Sequence, residues 1–268
     1  MNYTHSKKNL FERNGYLIGK NLLNENEIIK CRREINTLHQ TANLLIKSSA
    51  IEDSDFQIEP YLEKSNQKVK SPVLRKIENT QNHSELFFQL ARHESIVSIV
   101  KELLGPDLIL FRSTLMLKPA LHGSEHAFHQ DGAYWPIDPP NLVTVSIAID
   151  ESTVDNGCIK VLPGSHLSEL KEWGHIAKPP NSKSPESQKT NDPNQLEVPL
   201  LPGSALFFHS KLIHGSGPNS SEHSRNTALY AYFNPQVRYI PQDGMPRSRS
   251  FPVIAGLGGA KDFEIKAQ

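Results

Sequence analysis

The sequence predicts a mainly β fold with flanking helices. Two observations point there. Helix-spaced apolar residues are confined to the first part of the chain. From residue 106 onward the chain breaks into short β-branched and aromatic runs bounded by Gly, Pro, Asn or Asp. Helices first and many short strands after suit an all-β core dressed with helices on one side, and a double-sheet jelly roll accommodates such strands.

The elements follow in order. "NENEIIKCRREINTLHQTANLLIK" places Ile28, Ile29, Ile35, Leu38, Leu44 and Leu45 close to helical spacing, with Asn24 or Asn26 as the cap. Residues 84–104 read as two short helices, with Ser95 capping the second and Gly105-Pro106 ending it. "DLILFRSTLMLKP", "NLVTVSIAID", "GCIKVLPG", "GSALFFHS" and "RNTALYAYFNP" read as strands. Residues 175–195, rich in Pro, Ser, Asn and Lys, form a polar insertion, either a lid or a surface loop. A chain of 268 residues is ordinary for one elaborated domain. It would comprise a helical part over about 1–105, a core over about 106–240 and a C-terminal extension.

Composition narrows the function classes. The 29 basic and 29 acidic residues give zero formal net charge, so neither a nucleic-acid nor a membrane partner is expected. The basic cluster at Lys30, Arg32 and Arg33 reads as a solvated helix face. The two cysteines, Cys31 and Cys158, lie far apart without CxxC spacing, which argues against a disulfide framework or a thiolate metal site. There is no apolar signal core, no membrane-length apolar run and no SKL-type C-terminus, so a cytoplasmic location is expected. The sequence does not specify an oligomeric state.

The chemistry centres on "AFHQDGAYW". In an extended segment residues i and i+2 share a face, so His129 and Asp131 project together and Gln130 points away. One imidazole and one carboxylate are two thirds of the facial triad that holds non-heme Fe(II) and leaves positions open. Among the other histidines, His214 follows a strand-like run and can project inward. A turn-rich connection then leads to Arg225, and a hairpin there would set Arg225 on the strand beside His214. The planar fork of an arginine binds a carboxylate bidentately.

In order and spacing, "HQDGAYWP", "DNGCIKVLPGSH" and "GSALFFHSKLIHGSGPNSSEHSRN" resemble the phytanoyl-CoA dioxygenase family of Fe(II)- and 2-oxoglutarate-dependent oxygenases. The resemblance runs from "NGYLIGKNLL" to "YFNPQVRYI" and implies a double-stranded β-helix core, the cupin-like jelly roll, with N-terminal helices. It implies that His129, Asp131 and His214 ligate iron and that Arg225 and Ser216 hold the distal carboxylate of 2-oxoglutarate. It also implies co-substrate contacts at Thr114 and Lys76, although Lys76 reads equally as a solvent-facing lysine. Ile147 falls where the namesake enzyme has a large aromatic on a cavity wall. Of Tyr134 and Trp135, at least one is expected to line the substrate pocket. The Asn156-Gly157 and Gly164 positions read as turns, and His166 as structural.

The implied reaction couples oxidative decarboxylation of 2-oxoglutarate by O2, giving succinate and carbon dioxide, to oxidation of a substrate C–H bond. Related halogenases lack the ligating carboxylate, so Asp131 favours hydroxylation. Desaturation, cyclisation and epoxidation share the same chemistry. A small molecule, a microbial natural product, is the expected substrate. An acyl-CoA α-hydroxylase is the alternative, and a cupin-like binding or isomerising protein is the alternative of another class. The Arg225–Ser216 receptor discriminates the last of these, since a plain cupin needs none.

Overall fold

The structure, a computed structural model, describes residues 7–52, 54–59, 73–174, 176 and 192–267. In chain order the elements are α1 (Lys7–Asn14), β1 (Tyr16–Gly19), α2 (Glu25–Lys47), β2 (Phe56–Ile58), β3 (Leu74–Glu78), α3 (Glu85–Leu90) and α4 (Glu94–Leu104). There follow β4 (Leu108–Lys118), β5 (His126–His129), β6 (Ile137–Asp138), β7 (Val143–Ala148), β8 (Ile159–Val161), β9 (Leu196–Val198), β10 (Ala205–His209) and β11 (His214–Ser216). The last are β12 (Arg225–Phe233), β13 (Arg238–Tyr239), β14 (Ser248–Ala255) and β15 (Asp262–Lys266).

Among the described residues, nine strands form a large antiparallel sheet, with β1, β10, β7, β12, β4, β14 and β15 in order and β2–β3 added beside β4. Four form a smaller sheet in the order β5, β11, β8, β9. The two sheets make the cupin-like jelly roll.

Strand alternation divides the large sheet between two tasks. On β7, Val143, Val145 and Ile147 are fully buried in the main core beneath the helices, while Ser146 lines the cavity between the sheets. On β12, Ala228, Tyr230 and Tyr232 enter the same core, while Arg225, Thr227 and Leu229 line the cavity. The helices complete the core layer. Ile96, Val97, Ile99, Val100 and Leu104 of α4 and Ile28, Cys31, Ile35 and Leu38 of α2 are buried against the sheet.

Three polar side chains of this layer bond helix-end carbonyls. Tyr230 and Tyr232 donate their hydroxyls to Phe87 O (2.7 Å) and Ala91 O (2.8 Å) at the end of α3. Asn234 Nδ2 donates to Leu104 O at the end of α4 (3.0 Å).

The caps refine the sequence reading. Asn24 caps α2 and forms a reciprocal capping box with Glu27. Leu44, placed on the apolar stripe by spacing, is 65 % exposed because the buried face runs through Cys31 and Ala42 instead. Ser95 does not cap α4. The helix begins at Glu94, so Ser95 already lies within its first turn, and His93 at the cap position makes no side-chain cap. Gly105 ends α4 at φ +99°, a backbone that favours glycine. Lys30, Arg32 and Arg33 are exposed, and Arg32 pairs with Asp150 (2.9 Å). No helix of the described residues is long and apolar enough to cross a membrane. The polar stretch 175–195 lies mostly outside the described residues.

Candidate active site

The pairing of β5 with β11 sets His129 directly opposite His214. Gln130 is extended, so Asp131 turns to the same side as His129. Ligand atoms of His129, Asp131 and His214 all lie within 4.8 Å of one another, and all three residues are buried. Asp131 Oδ1 is 3.4 Å from His129 Nε2 and 3.9 Å from His214 Nε2.

Each imidazole is braced in the same way. His129 Nδ1 is 2.8 Å from Ala127 O, and His214 Nδ1 is 2.9 Å from Leu212 O. A carbonyl only accepts, so each Nδ1 carries the proton and each Nε2 presents its lone pair to the centre. Thr144 donates to Asp131 Oδ2 (3.0 Å), leaving Oδ1 toward the histidines. Burial works to raise the Asp131 pKa, but His214, His129 and Arg112 outweigh it and hold the carboxyl well below its ordinary range. Burial, followed by His129, pushes His214 down to about 4. An ionised carboxylate and two inward Nε2 atoms form the donor set of the two-histidine, one-carboxylate iron site, and these residues fit that metal.

Gln130 points away and serves the scaffold. Its Nε2 donates to Lys211 O (2.9 Å), and its Oε1 accepts from Lys171 N (3.0 Å) and Trp173 Nε1 (3.1 Å). This holds Trp173 at the cavity, whose volume is about 640 Å³.

Arg225 does not stand on a strand beside His214. The hairpin expected there is absent, because β11 belongs to the small sheet and β12 to the large one. Residues 217–224 cross between the sheets, so Arg225 and Ser216 line the cavity from opposite walls. The crossing is pinned by the buried Asn219, which donates to Lys118 O (2.9 Å) and His223 O (2.8 Å). Arg225 is 3 % exposed, and burial draws its guanidinium pKa down to about 10. Its Nη1 donates to Gly157 O, while its Nε has no partner. Gly157 belongs to the Asn-Gly turn, at φ +78°, and a Cβ there would come within 2.3 Å of Gly217 O. Among the described residues Arg225 has no acidic partner, and a buried guanidinium left so is costly. Its fork fits the far carboxylate of a dicarboxylic acid.

At the other positions the structure departs from the sequence reading for Ile147, Thr114 and Trp135 and places Tyr134, Lys76 and His166 in keeping with it. Ile147 does not face the cavity: it is fully buried in the core under the helices, and its neighbour Ser146 lines the cavity. A one-residue offset in a strand exchanges its faces. Thr114 is buried with its hydroxyl donated to Glu78 Oε2 (2.8 Å), while Arg112 Nε donates to Thr114 Oγ1 (3.1 Å). It therefore buttresses a charged wall. Trp135 packs on Phe111 (4.9 Å between ring centroids) in a separate core cluster, whereas Tyr134 lines the cavity with its hydroxyl donated to Gly174 O (2.8 Å). Lys76 lines the cavity and pairs with Glu78, which Arg112 also grips (Nη2–Oε1 2.5 Å). Burial and Arg112 lower the Lys76 pKa to about 8. Burial works to raise the Glu78 pKa, but Arg112 and Lys76 outweigh it and bring it to about 2. His166 Nε2 lies 3.0 Å from Glu12 O, a scaffold contact.

Sequence reasoning passed over Arg75, Arg112, Ser146 and Trp173, all of which line the cavity. The inward alternation of β7 would have found Ser146 once the strand's phase was set.

Comparison with known proteins agrees with this geometry. The family model for phytanoyl-CoA dioxygenase matches residues 11–227. The peroxisomal phytanoyl-CoA dioxygenase of Rattus norvegicus is 29 % identical, over 96 % of this chain and 78 % of that protein. The ectoine dioxygenase of Stutzerimonas stutzeri (strain A1501) is 26 % identical, over 83 % of this chain and 74 % of that protein. Two solved structures share the fold. The nickel complex of the non-heme monooxygenase ThoJ superposes with a TM-score of 0.69 at 22 % identity, over 93 % of this chain and 83 % of that one. EctD from S. alaskensis with 2-oxoglutarate and 5-hydroxyectoine superposes with 0.64 at 21 % identity, over 86 % and 76 %. With the buried His-Asp-His face and the family match in agreement, the chain belongs to the phytanoyl-CoA dioxygenase family of iron- and 2-oxoglutarate-dependent dioxygenases.

Proposed function

We propose that the protein hydroxylates an unactivated C–H bond of a small molecule, a microbial natural product, with release of succinate and carbon dioxide. The observation that carries this is one cavity holding both a His-Asp-His face and a buried arginine with an unpartnered Nε. His129, Asp131 and His214 hold the iron. Arg225 and Ser216 receive the far carboxylate of 2-oxoglutarate from opposite walls, and Lys76 adds a positive charge to the same cavity. When bound, iron and 2-oxoglutarate together activate O2 for C–H oxidation.

The protein's own contribution is placement and exclusion of water. Thr144 engages Asp131 Oδ2, so Oδ1, on the side of the two histidines, would be the oxygen offered to the metal. Met116, Phe208 and Leu229 give the cavity its apolar lining, and Tyr134 and Ser146 border the room left for substrate. A cavity of about 640 Å³ lies within the usual range for small-molecule sites. Hydroxylation of an acyl-CoA is the second reading, favoured by the cations Arg75, Lys76 and Arg112 along one wall.

Two measurements test the proposal. Anaerobic titration with Fe(II) and 2-oxoglutarate is expected to give a saturable visible charge-transfer band. Its absence from folded, iron-loaded protein would indicate a cupin-like binding or isomerising protein. Succinate release is then followed with small natural products and with acyl-CoA thioesters. Stimulation by the first group alone is expected, and stimulation by the thioesters alone would establish the second reading.

A further inference from the structure

A short chain of side chains stands behind Ser216, ordered by the ladder that aligns the metal face. Across β5–β11, His129 opposes His214 and His126 opposes Ser216. His126 is buried, with Nε2 2.6 Å from Arg75 Nη2 and Nδ1 3.5 Å from Ser216 Oγ. Arg75 reaches this position through an irregularity in β3. Gln57 pairs with Lys76 and Ile58 with Leu74, so Arg75 has no partner across β2. A bulged residue is re-aimed, which lets the consecutive residues Arg75 and Lys76 both face the cavity.

Donor and acceptor chemistry orders the protons along this chain. A guanidinium has five donors and no acceptor, so His126 Nε2 accepts. The ring sits among Lys118, Arg75 and Arg225, and burial with these cations keeps it neutral, with a single proton. That proton therefore lies on Nδ1, facing Ser216 Oγ. A hydroxyl that accepts there turns its own hydrogen elsewhere, and Ser216 lines the cavity with Arg225. His126 is not a fourth metal ligand, since its Nε2 is engaged by Arg75 and the ligand cluster among the described residues comprises His129, Asp131 and His214.

We propose that Arg75 and His126 are positioning residues for the co-substrate: the Arg75 guanidinium selects the His126 tautomer, and the His126 Nδ1 proton orients the Ser216 hydroxyl to donate into the cavity. The proposal rests on the reading of Arg225 and Ser216 as the carboxylate receptor. It makes Ser216 a fixed donor before 2-oxoglutarate arrives, complementing the donor-only fork of Arg225. An acceptor lone pair facing the carboxylate would instead repel it.

The test is a binding cycle in the iron-loaded protein under anaerobic conditions, read from the charge-transfer band. His126→Phe and Ser216→Ala should each weaken 2-oxoglutarate binding by about 3- to 10-fold, the worth of one hydrogen bond, with iron stoichiometry unchanged. The double variant should bind no more weakly than Ser216→Ala alone, because both changes remove the same bond. Arg75→Met should also weaken binding and Arg75→Lys, which keeps a donor, should restore it. Nitrogen NMR of ¹⁵N-histidine-labelled metal-free protein should show His126 protonated on Nδ1, which keeps the proposal testable if His126→Phe fails to fold. Additive effects in the cycle, or a proton on Nε2, would overturn it. If the wild type binds iron but not 2-oxoglutarate, the receptor reading itself fails instead.

Discussion

The metal end and the carboxylate end of the cavity are built in different ways. At the metal end each histidine is braced by a carbonyl two residues earlier in the chain, Ala127 for His129 and Leu212 for His214. Asp131 is two residues from His129 along an extended segment. This end is local, and one strand pairing completes it. At the carboxylate end, Arg225 from β12, Ser216 from β11, the Gly157 turn, His126 from β5 and Arg75 from β3 come together across both sheets. A local constellation is set by spacing, whereas a dispersed one depends on every element that carries a part.

Breaking the metal end should have the largest effect. Asp131→Ala and His214→Ala each remove a ligand, and iron-dependent succinate formation should fall by more than the roughly 100-fold seen when only an outer partner of a ligand is lost. Iron analysis of the purified variants checks this. Retention of stoichiometric iron and full turnover would refute the ligand assignment.

Breaking the carboxylate end should leave the metal in place. Arg225→Met removes a charged bidentate contact worth about 2–3 kcal/mol, so the concentration of 2-oxoglutarate needed for half-saturation should rise about 30- to 150-fold. Unchanged iron binding in the same sample separates the two ends, and loss of both together would show that they are not independent.

A smaller effect should come from pH. The Lys76 ammonium, with its pKa lowered to about 8 by burial and Arg112, is charged below that value and neutral above it. Binding of dianionic 2-oxoglutarate should therefore be level below about pH 7 and weaken as pH rises through about 8. Lys76→Met should bind weakly and without that dependence. The same dependence in the variant would assign it to another group.

The smallest effect should be at Ile147. Ile147→Val should cost about 0.5–1.5 kcal/mol of stability and leave 2-oxoglutarate affinity unchanged, because the side chain faces the helices. Ser146→Leu, one residue away, should instead alter which substrates stimulate succinate release. Thermal denaturation and the substrate panel distinguish the two.

Much of this protein is readable in its residues. The helix pattern and Asn24 cap of α2, the Gly105 stop and the strand runs of the core all rest on local periodicity and turn chemistry. The His129–Asp131 spacing likewise holds without tertiary information, since a two-residue step on an extended segment fixes the shared face. Other features could not be read this way. That Arg225 approaches from the opposite sheet depends on residues 217–224 crossing the sandwich, and a turn-rich stretch is equally compatible with a hairpin. The inward face of β7 depends on register, where a single step exchanges Ile147 for Ser146. Arg75 enters the site because β3 is irregular where it pairs with β2, a property of pairing that neither strand carries alone. The sequence by itself determined which residues can do chemistry and which neighbours along the chain share a face. Only the tertiary structure decided which sheet, register and bulge brings distant charges together, because those depend on contacts between segments far apart in the chain.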